Sequence, residues 1–172
     1  AVKYGFVFDS YLSPGNFVSE TCGAINFELV VRGVSAHAGI SPEKGVNAIK
    51  IAAEAMAGFP FGRIDEVTTA NIGIVRGGTG TNVVCDEVHM TGEIRTDFTH
   101  HGEEIMAKVI SDFNKVCEKY GGKLESKHFW DFLPYSVKED DKPYTHFSKI
   151  AKRLGLNPSP KKSMGGSDAN SL

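Results

Sequence analysis

From Asn26 to Arg32 the side chains alternate, with Phe27, Leu29 and Val31 on one face and Asn26, Glu28 and Arg32 on the other. That is the period of a half-buried strand. What constrains the chain most is how this period gives way to a helical one and then returns. Ser41-Pro42-Glu43 reads as a helix start, with Ser41 as cap, Pro42 at the first position and Glu43 near the positive end of the dipole. Val46, Ile49, Ala53 and Met56 then recur at helical spacing until Gly58 and Pro60. Period two comes back from Thr68 to Val75 through Ala70, Ile72 and Ile74. After the turn "RGGTGTN" it returns again, with Val88, Met90 and Ile94 set against Glu87, His89, Glu93 and Arg95. A second helix follows Thr99, striped by Ile105, Val109, Phe113, Val116 and Tyr120 and stopped by Gly121-Gly122. Lys123 to Phe132 is the last strand.

The order from residue 23 to about residue 134 is therefore β-α-β-β-α-β, an α+β unit of the ferredoxin-like kind: a four-stranded antiparallel sheet with two helices on one face. The flanks do not fit it. Tyr4 to Asp9 reads as a short buried strand ending on a carboxylate, and "SYLSPGNFVSE" as a Pro/Gly/Ser connection. A helix is expected from about Pro143 to Leu154, with Phe147, Ile150 and Leu154 inward, and then the glycine turn "GGSDAN". The expected division is 1–22, 23–134 and 135–172, with the outer pieces belonging to a second domain into which the central unit is inserted. Both ends read as cut, so the expectation is a piece of a longer protein.

Composition excludes several classes. A net charge of -2 gives no electrostatic reason to expect nucleic acid or an anionic membrane. No apolar run approaches membrane-spanning length, and no signal peptide opens the chain. Cys22, Cys85 and Cys117 are odd in number and form no CxxC, which reads as buried small hydrophobes in a reducing cytoplasm.

The residues able to carry chemistry are scattered. His37 stands on the bare turn "VSAHAGISPE", with no second ligand at workable spacing, so it reads as a turn histidine or as an exposed hydrogen-bond donor serving a site built elsewhere. Asn82 lies in "GGTGTNVV", which lacks the Lys of a phosphate loop and reads as a hairpin connection. Arg95, at a strand end, belongs to a solvated sheet face or binds a carboxylate. Asp9 is a turn aspartate or a ligand at the carboxyl edge of a sheet. "GGSDAN" is a capped helix start or a backbone amide site.

Together, "FDS", "VRGVSAHAGISPEKGVNAI", "TTANIGIVRGGTGTNVV", "GEIRT" and "GGSDAN" resemble the M20 family of metallopeptidases, in the right order and over essentially the whole chain. The likeness is strongest to the peptidase T-like branch of tripeptide aminopeptidases. The resemblance implies a two-zinc α/β catalytic domain carrying an inserted ferredoxin-like lid that also makes a homodimer. It implies that Asp9 is a zinc ligand and that His37 reaches the partner subunit's active site as a catalytic donor. Asn82, Arg95, Gly165, Gly166 and Ser167 are implied to hold a short peptide substrate. The family's remaining metal ligands and its general base have no counterpart here, so the implied two zincs per subunit belong to the full-length protein and the fragment alone is expected to be inactive. The rival readings are a non-catalytic ferredoxin-like dimerisation or binding module and an amidohydrolase of the same family acting on N-acyl amino acids.

Overall fold

The structure, a computed structural model, describes residues 3–171. Its elements run β1 (Asn16–Thr21), β2 (Gly23–Arg32), β3 (Ala36–His37), α1 (Ala48–Ala57), β4 (Gly62–Arg63), β5 (Thr69–Gly77), β6 (Val83–Val84), β7 (Glu87–Thr96), α2 (Thr99–Tyr120), β8 (Lys123–Phe132), β9 (Tyr135–Ser136), α3 (Lys142–Arg153) and β10 (Ser159–Ser163). The main sheet is antiparallel, in the order β4-β5-β7-β2-β8. Without the two-residue β4 this is the ferredoxin-like order.

The alternation in β2 decides how the sheet is covered. Ile25, Phe27, Leu29 and Val31 are buried, and cross-strand pairing sets Val88, Met90 and Ile94 of β7 on the same face. Ala48, Ile51, Ala52 and Ala55 of α1 and Met106, Val109, Phe113 and Cys117 of α2 close over that face as one core. Each large side chain so buried contributes about 1.5–3 kcal/mol. The alanines of α1 let its axis lie close to the sheet. At the end of α2, Gly121 takes the left-handed conformation (φ 75°), so the Gly122 amide can donate to the Cys117 carbonyl at 2.8 Å. Cys22, Cys85 and Cys117 are all buried free thiols.

A second, three-stranded sheet has the order β10-β1-β9, with β1 parallel to β10 and antiparallel to β9. It gathers residues on both sides of the main unit. The fold is a mixed α/β structure, as its sequence pattern implies.

Several local expectations need correcting. Residues 4–9 form no strand: Tyr4 and Phe6 turn their rings against His146 and Phe147 of α3, and Phe8 stands in solvent. The "SYLSPGNFVSE" connection instead contains β1, whose ladder partners lie far along the chain. Ser41 caps no α-helix, since Pro42–Lys44 makes only a 3-10 turn. Val46 is drawn into an isolated bridge with Val34, and the helix starts after Asn47, whose side chain accepts the Lys50 amide at 3.1 Å. The later start rotates the inward stripe to Ala48, Ile51, Ala52 and Ala55, leaving Ile49 and Ala53 exposed. In β5 a bulge between Ile72 and Ile74 breaks the alternation, so Ile74 is 47% exposed. In α3 the buried residue is Ala151, while Ile150 and Leu154 face outward.

Candidate functional site

The strand β2, ten residues long, separates the candidate residues into two groups. One group sits beyond its Arg32 end. Leaving β2, the chain is held by a Gly33 amide bond to the Asp86 carbonyl (2.8 Å) and by the Val34–Val46 bridge. It then pairs β3 with β6, Ala36 opposite Val84 and His37 opposite Val83. The Ala38 amide donates to the Asn82 carbonyl at 2.9 Å. His37 and Asn82, far apart in sequence, thus lie on adjacent backbone strands. The Ile40 and Ser41 amides both donate to the His37 carbonyl (3.2 and 3.0 Å), and the Gly39 amide donates to His37 Nδ1 at 3.1 Å. The imidazole itself is exposed.

The other group sits at the Gly23 end. Arg95 lies opposite Ala24 on β7. Its guanidinium grips Glu93 with two bonds (2.9 and 3.0 Å) and donates to the Met164 carbonyl at 2.9 Å, one residue before the glycine turn. Glu93 raises the Arg95 pKa still further, so this cation is permanent. The Cys22 thiol donates to the same carbonyl at 3.0 Å, and its burial pushes its pKa up against the opposing field of Arg95. "GGSDAN" folds as a capped 3-10 turn: Ser167 Oγ accepts the Ala169 amide, and Asn170 Oδ1 accepts the Ser167 amide at 2.9 Å. The Gly165 amide is taken by Ser163 Oγ at 3.0 Å. The Gly166 amide is the one of these three with no bond among the described residues.

Asp9 is exposed, in an irregular segment and not at a strand end. It lines a cavity of about 830 Å³ together with Gly165, Gly166, Ser167 and Tyr135. Burial lifts the Tyr135 phenol above its ordinary pKa, and the charge of Asp9 lifts it further. Among the described residues no three His, Cys, Asp or Glu side chains are placed to hold a metal ion. Asp9 is a single carboxylate where a zinc site needs about three or four protein ligands, so these residues do not by themselves fit one.

The structure therefore joins His37 to Asn82, and Asp9 and Arg95 to the Gly165–Ser167 turn, but places the two groups at opposite ends of β2. Nine residue steps at about 3.3 Å give a separation of roughly 30 Å along the strand. Three participants escape a reading of the sequence. Glu93 shares a face with Arg95 by the period of two, which was a usable signal. Tyr135 and Asn170 had none, because Asn170 works by bonding Thr21 Oγ1 (2.6 Å) and the Leu133 carbonyl (2.8 Å) across large sequence separations. No helix among the described residues is long and apolar enough to cross a membrane.

Comparison with known proteins bears on this arrangement. The peptidase dimerisation domain of the M20 type matches residues 19–121. The aminopeptidase PepT of Bacillus cereus superposes with a TM-score of 0.88 and is 39% identical, over 98% of this chain and 45% of that one. A Staphylococcus aureus tripeptidase gives a TM-score of 0.86 at 30% identity, over 94% of this chain and 43% of its own. Among curated proteins, YqjE of Bacillus subtilis is 37% identical over 98% of this chain and 45% of its own length. The chain thus spans less than half the length of these relatives.

Proposed function

The chain belongs to the M20 peptidase dimerisation family, and from that membership we propose that it is the dimerising, substrate-holding part of a zinc-dependent exopeptidase that hydrolyses short peptides, tripeptides above all. In this reading residues 23–134 are the lid, and 1–22 and 135–172 belong to the catalytic domain. The zincs would activate a water for attack on the peptide carbonyl. Asp9 would be the one ligand supplied from this chain, and the others would come from sequence outside these residues.

The observation that carries the proposal is the separation of roughly 30 Å between the two groups along β2. A site that needs both His37 and the Asp9 cavity cannot be completed within one chain. A homodimer can complete it, with the His37 and Asn82 end of one lid facing the Asp9 and Arg95 end of its partner. Each residue then has a defined task. His37 donates to the oxygen that becomes negative in the transition state, an interaction absent from the ground state and therefore one that lowers the barrier. Asn82, on the neighbouring strand, holds the substrate backbone beside it. Arg95 presents a permanent charge to the peptide carboxylate. Gly166 offers its amide at the cavity wall, and Gly165 and Ser167 shape that wall.

Two measurements on the complete protein test this. Metal analysis is expected to give two zincs per subunit, and a screen of tripeptides, dipeptides and N-acyl amino acids is expected to show fastest turnover on tripeptides. Absence of metal together with no turnover returns the protein to the non-catalytic module. Preference for N-acyl amino acids moves it to the amidohydrolase reading.

A further inference from the structure

His37 is exposed, yet one of its two ring nitrogens is already engaged. The Gly39 amide donates to Nδ1 at 3.1 Å. An amide N–H can only donate, so Nδ1 must present a lone pair to it. In the neutral ring the proton then has one place left, Nε2, which meets no hydrogen-bond partner among the described residues. The loop fixes this geometry in three further ways. The His37 carbonyl accepts from both Ile40 and Ser41, the Ala38 amide is tied to the Asn82 carbonyl, and His37 is paired with Val83. The backbone that carries the Gly39 amide is thus held on either side of the ring it contacts.

We propose that Gly39 is a positioning residue whose amide locks His37 in the Nε2–H tautomer, so that the side chain can only donate outward. This rests on the reading of His37 as an oxyanion donor. It extends that reading by naming the atom that donates and the group that makes it do so. A histidine with the proton on Nδ1 would offer a lone pair to a developing negative charge and oppose it. A turn that enforces the tautomer therefore removes the unproductive form before substrate arrives.

What position 39 needs is the N–H, not the missing side chain. A Cβ built there would meet only His37 Cε1 at 3.7 Å and Nδ1 at 3.8 Å, ordinary contacts, and Gly39 is not among the positive-φ glycines. Gly39→Ala keeps the amide and is the matched control, while Gly39→Pro removes the donor.

The test is the nitrogen-15 spectrum of the imidazoles in this chain, with His37 assigned by its loss in His37→Ala. The expected wild-type and Gly39→Ala spectra show a fully unprotonated Nδ1 and a fully protonated Nε2. Gly39→Pro is expected to relax to the mixed tautomers of an unrestrained ring. A mixture in the folded wild type overturns the proposal whether or not the proline variant folds, as does a Gly39→Pro ring that stays locked. In the complete enzyme, Gly39→Pro is expected to lower kcat at least tenfold with KM little changed, and Gly39→Ala to leave both near wild type. If the tautomer relaxes and turnover does not fall, the lock stands and the role of His37 as donor is what fails.

Discussion

Gly33 marks the point where β2 ends and the His37 loop begins, and the backbone there has no room for a side chain. A Cβ at this position would lie 1.9 Å from the Val46 carbonyl oxygen, the acceptor of the Val34 amide in the bridge that anchors the loop. Gly33→Ala must therefore push two segments apart. It is expected to cost about 1–3 kcal/mol, read as a lower urea midpoint, and to broaden the amide signals of residues 34–39 first. A second residue-scale prediction concerns pH. The His101 ring holds Asp65 by a 2.8 Å bond, and this contact, followed by the Val67 amide, lowers the Asp65 pKa. A depressed carboxylate stabilises the fold above its unfolded pKa, and that contribution disappears as pH falls through the folded value. The stability gap between wild type and Asp65→Asn should shrink as the pH falls through and below the usual carboxylate range. A gap that keeps growing while the carboxylate itself is being protonated would reverse the sign and refute the assignment. At this scale the sequence announced His37, Asn82 and Arg95 as unusual residues. What it could not announce was that the Ala38 amide meets the Asn82 carbonyl, or that Glu93 and Met164 already occupy much of Arg95.

Among the elements, those with long uninterrupted periods were legible. β2 and β7 each run ten residues, and α2 runs from Thr99 to the Gly121 stop, so each carries enough periods to declare its buried face. The short elements were not. β1 is a polar six-residue strand and β10 holds a Pro and two Lys, and each exists because the other pairs with it across most of the chain. The start of α1 was misplaced for a similar reason: a non-local bridge to Val34 captured Val46 and left Asn47 to cap. The strand β5 has a consequence for assembly. β4 covers it only at Thr69 and Ala70, so residues 71–77 have no neighbour on that side among the described residues. Ile74 and Val75 are 47% and 49% exposed there. An uncovered edge with apolar side chains is a template for another strand. If a homodimer forms along it, Ile74→Lys should weaken that dimer at least about tenfold, since burying one such side chain contributes about 1.5–3 kcal/mol. Sedimentation across a concentration series reads this directly, and an unchanged dissociation constant would move the interface elsewhere. Ile72→Pro is a poorer test, because Ile72 is buried and its loss would disturb the core as well.

At the scale of the whole molecule, the decisive feature is that the fold holds its two groups of candidate residues apart and rigidly so. β2 is bonded along its full length to β7 on one side and β8 on the other, so no local rearrangement brings His37 to Asp9 within one chain. On the proposed reading, a single-subunit defect in either group is complementable in the complete protein. His37→Ala is expected to keep its metals and near-normal KM while losing about 10²–10³ in kcat, the usual cost of removing one oxyanion donor. On the same reading Asp9→Ala is expected to be inactive, because it removes the proposed metal ligand. Neither homodimer then works. In a mixed two-fold dimer, the Asp9-intact site of the first variant receives an intact His37 from the second, while the other site lacks both. Random exchange places half the protein in such dimers with one working site of two, so mixing should restore about a quarter of wild-type activity. The recovery should follow the rate of subunit exchange and vanish under conditions that prevent it. If heterodimers form, verified by mass, and no activity returns, His37 acts within its own subunit or not at all. The separation along β2 would then be a property of the lid with no bearing on the chemistry.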